Sequence, residues 1–145
     1  MFFTLEKLER NTKQLKDLRY RERMEIPSFD ASTPEEEPVG KRPESVVYTG
    51  TLKKGDFWIG RGTYLWIRQS VEIPAEWVGK KIAGLFNMGK TGEGLNSGFE
   101  GLIYVNGSPY CETGSYHEEV IFPSELAGTK DPICAIKTIS AVCRI

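Results

Sequence analysis

Histidine and cysteine are scarce: the 145 residues hold one histidine, His117, and three cysteines, Cys111, Cys134 and Cys143. A catalytic zinc takes three protein ligands and a structural zinc four, and none of these spacings resembles such a set. His117-Glu118-Glu119 lacks the second histidine of H-E-x-x-H, and no G-x-S-x-G marks an acyl-transfer serine. Neither a metal nor an organic cofactor is therefore expected in this chain. Three cysteines without a C-x-x-C pair cannot all be bridged internally, which fits reduced thiols. Glu6, Lys7, Glu9 and Arg10 interrupt what would have to be the apolar part of a secretion signal. Both observations predict a cytoplasmic protein. No run approaches the ~20 apolar residues of a spanning helix. Nineteen basic residues against twenty acidic ones leave a net charge of -1. Without a global positive field, neither nucleic acid nor an anionic membrane is an expected partner.

Aromatic residues are plentiful, with seven Phe, six Tyr and three Trp, enough to fill the core of one domain with an appendage. From Thr4 to about Glu25 there is no Gly or Pro, and Leu5, Leu8, Leu15 and Leu18 recur among charged residues. This pattern predicts an amphipathic helix with Thr4 at its cap, Glu6 in its first turn and Arg19, Arg21 and Arg23 at its carboxyl end. Its leucine stripe is expected to be buried, either on the chain's own globule or against a second helix. Docking on the globule is favoured, because the stripe is shorter than the three or four heptads of a coiled coil. Residues 27–45 carry four of the eight prolines and the run Glu35-Glu36-Glu37, the composition of a solvated linker.

Beyond residue 46 the apolar period becomes two. Tyr64, Trp66, Arg68, Ser70 and Glu72 alternate with Leu65, Ile67, Gln69, Val71 and Ile73, giving one apolar and one mixed face. Turn signals follow over Pro74–Lys80, a short apolar run over Ile82–Met88, and a glycine-rich loop. Phe99–Val105 then leads into Asn106-Gly107, a pair suited to the positive φ angles of a type I′ hairpin turn, and Tyr110 begins the partner strand. Val120–Phe122 and Ile133–Val142 complete the apolar stretches. Many short strands without intervening helices predict a mainly β chain. The expected plan is a helix over 1–26, a linker over 27–45 and an antiparallel β-sandwich over 46–145.

Two features invite chemistry. Gly84-Leu85-Phe86-Asn87-Met88-Gly89-Lys90-Thr91 satisfies the phosphate-loop pattern G-x-x-x-x-G-K-T, yet three glycines within Gly92–Gly98 deny it the helix on which phosphates rest. A surface loop between strands is the reading kept. Flat aromatic faces suit sugar rings, and Trp58 and Tyr116, beside turn or charged residues, are the candidate substrate-binding side chains. Trp66 and Tyr104, inside strands, are assigned to the core. No catalytic residue is proposed, and His117 is expected to be a structural hydrogen-bonding residue.

Several segments together resemble the amino-terminal region of glycoside hydrolase family 38 α-mannosidases. The opening Phe3-Thr4-Leu5-Glu6-Lys7-Leu8-Glu9-Arg10, with Leu18-Arg19-Tyr20-Arg21, is similar to their first helix. Trp58-Ile59-Gly60-Arg61-Gly62-Thr63-Tyr64-Leu65-Trp66-Ile67-Arg68 is similar to a strand that usually follows. Val71-Glu72-Ile73-Pro74-Ala75-Glu76-Trp77-Val78-Gly79-Lys80 resembles their V-x-P-x-x-W-x-G-K turn, and Phe99 to Tyr110 their F-E-x-L-x-Y-V-N-G-x-P-Y hairpin. The order of these segments over roughly residues 1–126 carries the likeness. Two departures stand out: Gly114 and Tyr116 occupy the family's aspartate and asparagine positions before His117, and the tail from Lys130 alternates poorly. The resemblance implies a galactose-binding-like sandwich, or jelly roll, that precedes a catalytic barrel. It further implies that the zinc and the nucleophile of the retaining mechanism belong to that barrel. The partners implied are the remainder of a mannosidase chain or a second copy through the amino-terminal helix. A free-standing carbohydrate-binding module, with carbohydrate as its partner, is the alternative.

Overall fold

The computed structural model describes residues 4–36, 43–88, 99–128 and 133–144. One helix, α1 (Thr4–Leu18), precedes the strands β1 (Ser28–Ser32), β2 (Glu35–Glu36), β3 (Tyr48–Lys53), β4 (Phe57–Ser70), β5 (Ile82–Leu85), β6 (Glu100–Val105), β7 (Ser108–Gly114), β8 (Glu119–Phe122) and β9 (Ile133–Arg144). Six strands lie side by side in the order β3-β1-β4-β9-β6-β7, and β2 adds to β4. A second sheet is the pair β5-β8. Every pairing between these strands is antiparallel. The mainly β, antiparallel expectation therefore holds.

The smaller sheet covers one face of the larger. Leu65 and Ile67 of β4, Ile103 of β6 and Ala31 of β1 meet Val120 of β8 and the buried Phe86, Met88 and Phe99. Trp66 and Tyr104 point to the opposite face, where they pack with Val46 and Tyr48. Residues 65–67 are consequently buried on both sides of the sheet, at 1%, 0% and 0% exposure. The mixed face expected of β4 is thus covered at Trp66, while Tyr64 and Arg68 on either side are half-buried and Ser70 is exposed.

Three expectations are corrected. The helix ends at Leu18 rather than near Glu25. Arg19, Tyr20 and Glu22 are engaged by β8 and Lys80, so the chain leaves the helical path to reach them. Residues 27–45 are not merely a linker. Ser28–Ser32 forms β1, wedged between β3 and β4, with Ala31 paired to Ile67 and buried in the core. Flanking Pro27 and Pro34 end the strand without breaking its ladder. The leucine stripe does not dock on the chain's own globule: Leu5, Leu8, Leu15 and Leu18 are 76%, 56%, 68% and 73% exposed.

The poorly alternating tail, β9, occupies the middle of the large sheet. It pairs with β4 from Ser70↔Ile133 to Phe57↔Arg144, and with β6 from Val105↔Cys134 to Glu100↔Ile139. Backbone ladders on both edges hold it whatever its side-chain pattern.

Candidate functional site

The hairpin forms as its turn chemistry requires. Asn106 and Gly107 take φ angles of 50° and 78°, the left-handed pair of a type I′ turn, and join β6 to β7. Strand alternation sends Ile103 into the core beneath the small sheet and Tyr104 against Trp66 on the other face, and the register with β7 slips between them, leaving Tyr110 as the extra residue of β7. Tyr110, beyond the turn, stacks on Phe122 with ring centroids 5.7 Å apart and donates its hydroxyl to the carbonyl of Ile121 at 2.7 Å. The hairpin is thereby fastened to the small sheet.

The segment from Val71 to Lys80 is a scaffold of the same sort. A single 3₁₀ turn over Ala75–Trp77 lets Val71 and Trp77 pack around Ile73, Ile82 and Ala127. Gly79 turns the chain with φ +77°, a region L side chains avoid. Lys80 then reaches Glu22 at 2.9 Å, and this pair holds the Glu22 carboxyl below its ordinary range. Next to it, the Tyr20 hydroxyl donates to Glu119, and Arg19 lies 2.5 Å from the same carboxylate. The Tyr20 hydrogen bond and Arg19 lower the Glu119 pKa, whereas Tyr20 is raised, first by its bond to Glu119 and then by desolvation. The chain that leaves the helix is thus strapped across the small sheet.

The aromatics divide between core and surface. Trp66 and Tyr104 sit 5.4 Å apart at 44° and are buried, so they offer no open ring face. Beside them, Arg68 lies over the Tyr48 ring at 4.1 Å and pairs with Asp30 at 3.3 Å. Burial raises the Tyr48 pKa. Tyr116 is 77% exposed in the turn before His117 and presents its ring to solvent. Trp58 belongs to β4, and its side chain lies outside the described residues. The two candidate platforms are therefore not brought together by anything described.

His117 forms an isolated bridge with Gly114, and its carbonyl accepts from the Thr113 hydroxyl at 2.8 Å. These contacts are made by the main chain, while the side chain is exposed. Gly84, first residue of the phosphate-loop pattern, lies in β5. A Cβ there would come within 2.6 Å of Phe122 and 2.7 Å of Phe86, whose rings meet edge to face. Its job is to leave room for two rings. The pattern's Gly89, Lys90 and Thr91 lie outside the described residues.

Among the described residues no group of three or more His, Cys, Asp or Glu side chains is gathered to hold a metal ion, and no helix is long and apolar enough to cross a membrane. Sequence reasoning missed Tyr20, Arg68 and Glu119, because partners up to 99 residues apart leave no local signal. No family model matches the chain, and no curated protein or solved structure matches it either.

Proposed function

We propose that this chain is a non-catalytic amino-terminal accessory domain, or a fragment, of a zinc-dependent retaining α-mannosidase acting on α-mannosides. Its β-sandwich is of the galactose-binding-like jelly-roll type. One observation carries the reading: two of the segments that resemble family 38 enzymes, Val71 to Lys80 and Phe99 to Tyr110, are occupied with scaffolding. Asn106 and Gly107 make a turn, Trp77 fills a small apolar cluster, Gly79 supplies a positive φ and Lys80 holds the strap through Glu22. Residues spent on turn geometry and packing suit a domain that supports and positions a neighbour.

The catalytic zinc and the nucleophile belong, in this reading, to the barrel of the parent enzyme, and no step is routed through this chain. The helix is an assembly element that meets the remainder of the mannosidase chain or a second copy. Cytoplasmic residence accords with the unpaired thiol of Cys111, half-buried against the core. The second reading, a carbohydrate-binding module, is favoured by one observation, the exposed ring of Tyr116. Calorimetric titration of the chain with mannose and galactose separates the two. Heat that is lost in Tyr116→Ala supports the module. Absence of heat, together with binding to a family 38 barrel stripped of its own amino-terminal domain, supports the accessory domain.

A further inference from the structure

Asparagine occurs at Asn11, Asn87, Asn96 and Asn106, and of these Asn106 alone is followed by glycine. Thr12, Met88 and Ser97 each shield the main-chain nitrogen that follows their asparagine, whereas Gly107 has no side chain to do so. The Asn106 side-chain amide is therefore the one most open to attack by its own backbone. In that reaction the Gly107 nitrogen gives its proton to water and bonds to Cγ of Asn106. The Cγ–Nδ2 bond breaks, the nitrogen leaves as ammonia with a proton returned by the solvent, and a five-membered succinimide ring remains. Water then opens the ring at either carbonyl, giving aspartate or isoaspartate.

The fold withholds this chemistry. Asn106 and Gly107 are exposed, so water reaches them, but their φ angles of 50° and 78° are those of a formed type I′ turn. The first central residue of such a turn has a ψ of about +30°. At that angle the Gly107 nitrogen lies nearly opposite the Asn106 Cβ across the Cα–C bond, whereas ring closure needs the two nearly eclipsed. The main chain must swing through most of a half-turn, and this dissolves the turn. What resists the swing is short. Only Val105↔Ser108 and Tyr104↔Pro109 pair before the register slips, and β7 ends the sheet. Beyond the slip, Tyr110 fastens the strand by its stack on Phe122 and its hydrogen bond to the Ile121 carbonyl.

We propose that Asn106 is a deamidation site gated by the β6–β7 hairpin. The closed turn holds the Gly107 nitrogen away from Cγ, and release of Tyr110 lets the two meet. The products differ in consequence. Aspartate accepts the left-handed conformation and Asp-Gly suits the same turn, so the hairpin forms again. Isoaspartate carries the main chain through Cβ and Cγ, which adds an atom to a two-residue loop and keeps β7 from its register. A passing opening thereby becomes a lasting one.

The test is peptide mapping of the full chain by mass spectrometry after incubation in mildly alkaline buffer, both folded and in guanidinium chloride. The readout is the mass change of losing ammonia and gaining water, assigned to a residue. In denaturant Asn106 should react faster than Asn11, Asn87 and Asn96, and folding should slow it more than about tenfold, as expected of a site that reacts only on opening. Tyr110→Ala, which removes both fastenings, should speed the folded-state reaction about tenfold, and Tyr110→Phe, which keeps the stack and loses the hydrogen bond, should speed it less. Where Tyr110→Ala does not fold, Tyr110→Phe decides. Asn106→Asp should keep the parent melting temperature, while chain aged in denaturant, refolded and enriched in isoaspartate should melt lower.

Faster reaction at Asn11, Asn87 or Asn96 in denaturant would overturn the site. Equal rates in the folded and denatured chain, or folded Tyr110 variants that react no faster than the parent, would overturn the gate. An isoaspartate form that melts with the parent would overturn its effect on β7. None of these results touches the mannosidase reading, which the titration and barrel-binding measurements above decide separately.

Discussion

Tyr20 donates its hydroxyl to the Glu119 carboxylate across 99 residues of sequence, and this bond, with Arg19 on the same oxygen, ties the end of the helix to β8. Glu119 is held below its ordinary 4.5, so its contribution to stability is full above that value and is lost as pH falls through the lower, folded value. Tyr20 is raised above its ordinary 10.0, so its contribution is full below that pH and is lost as pH climbs through the higher, folded value. Melting temperature against pH should therefore fall off at both ends. Tyr20→Phe should flatten both limbs, at a cost of under about 1 kcal/mol near neutrality because the pair is solvent-screened. An unchanged pH profile in that variant would contradict the assignment.

Gly84→Ala places a methyl group where Phe122 and Phe86 already sit. The rings must move, and overpacking of this kind costs about 1–3 kcal/mol. Denaturant unfolding measures it, and a neutral result would mean that the two rings are not locked edge to face.

Two hydroxyls near Trp66 should respond in opposite ways. The Ser32 hydroxyl accepts the Trp66 main-chain N–H at 3.1 Å, next to the point where the β1–β3 register slips. Ser32→Ala would leave a buried donor unpaired and cost about 1–3 kcal/mol. The buried Tyr48 hydroxyl has no partner among the described residues, so Tyr48→Phe should be neutral or slightly stabilising while keeping the ring beneath Arg68. Thermal unfolding of the two variants side by side checks the contrast.

What was legible in the sequence was local. Asn106-Gly107 fixes its own turn, and Pro74 with Gly79 fixes theirs, so β6, β7 and the loop before β5 could be read from spacing and turn chemistry. What depended on distant partners was not. The helix gives way after Leu18 because Tyr20 and Glu22 find Glu119 and Lys80. β1 hides between two prolines, yet Ala31 meets Ile67. β9 lacks clean alternation because two neighbouring ladders, with β4 and β6, define it. The same limit applied to the candidate site. Tyr116 could be placed in an exposed turn by its charged and glycine neighbours, whereas the Arg68 contacts with Tyr48 and Asp30 join three separate strands.

The most direct measurement is turnover of an aryl α-mannoside. It is run with the purified chain alone and with the chain added to a family 38 α-mannosidase that lacks its amino-terminal domain. Retaining hydrolysis requires two carboxylates about 5–5.5 Å apart on either side of the sugar bond. Glu118 and Glu119 are sequence neighbours leading into β8, where successive side chains take opposite faces, and Glu119 is already held by Tyr20 and Arg19. The account predicts no turnover from the chain alone and greater activity or heat resistance of the truncated enzyme when the chain is present. Turnover by the chain alone, abolished by His117→Ala, would contradict it.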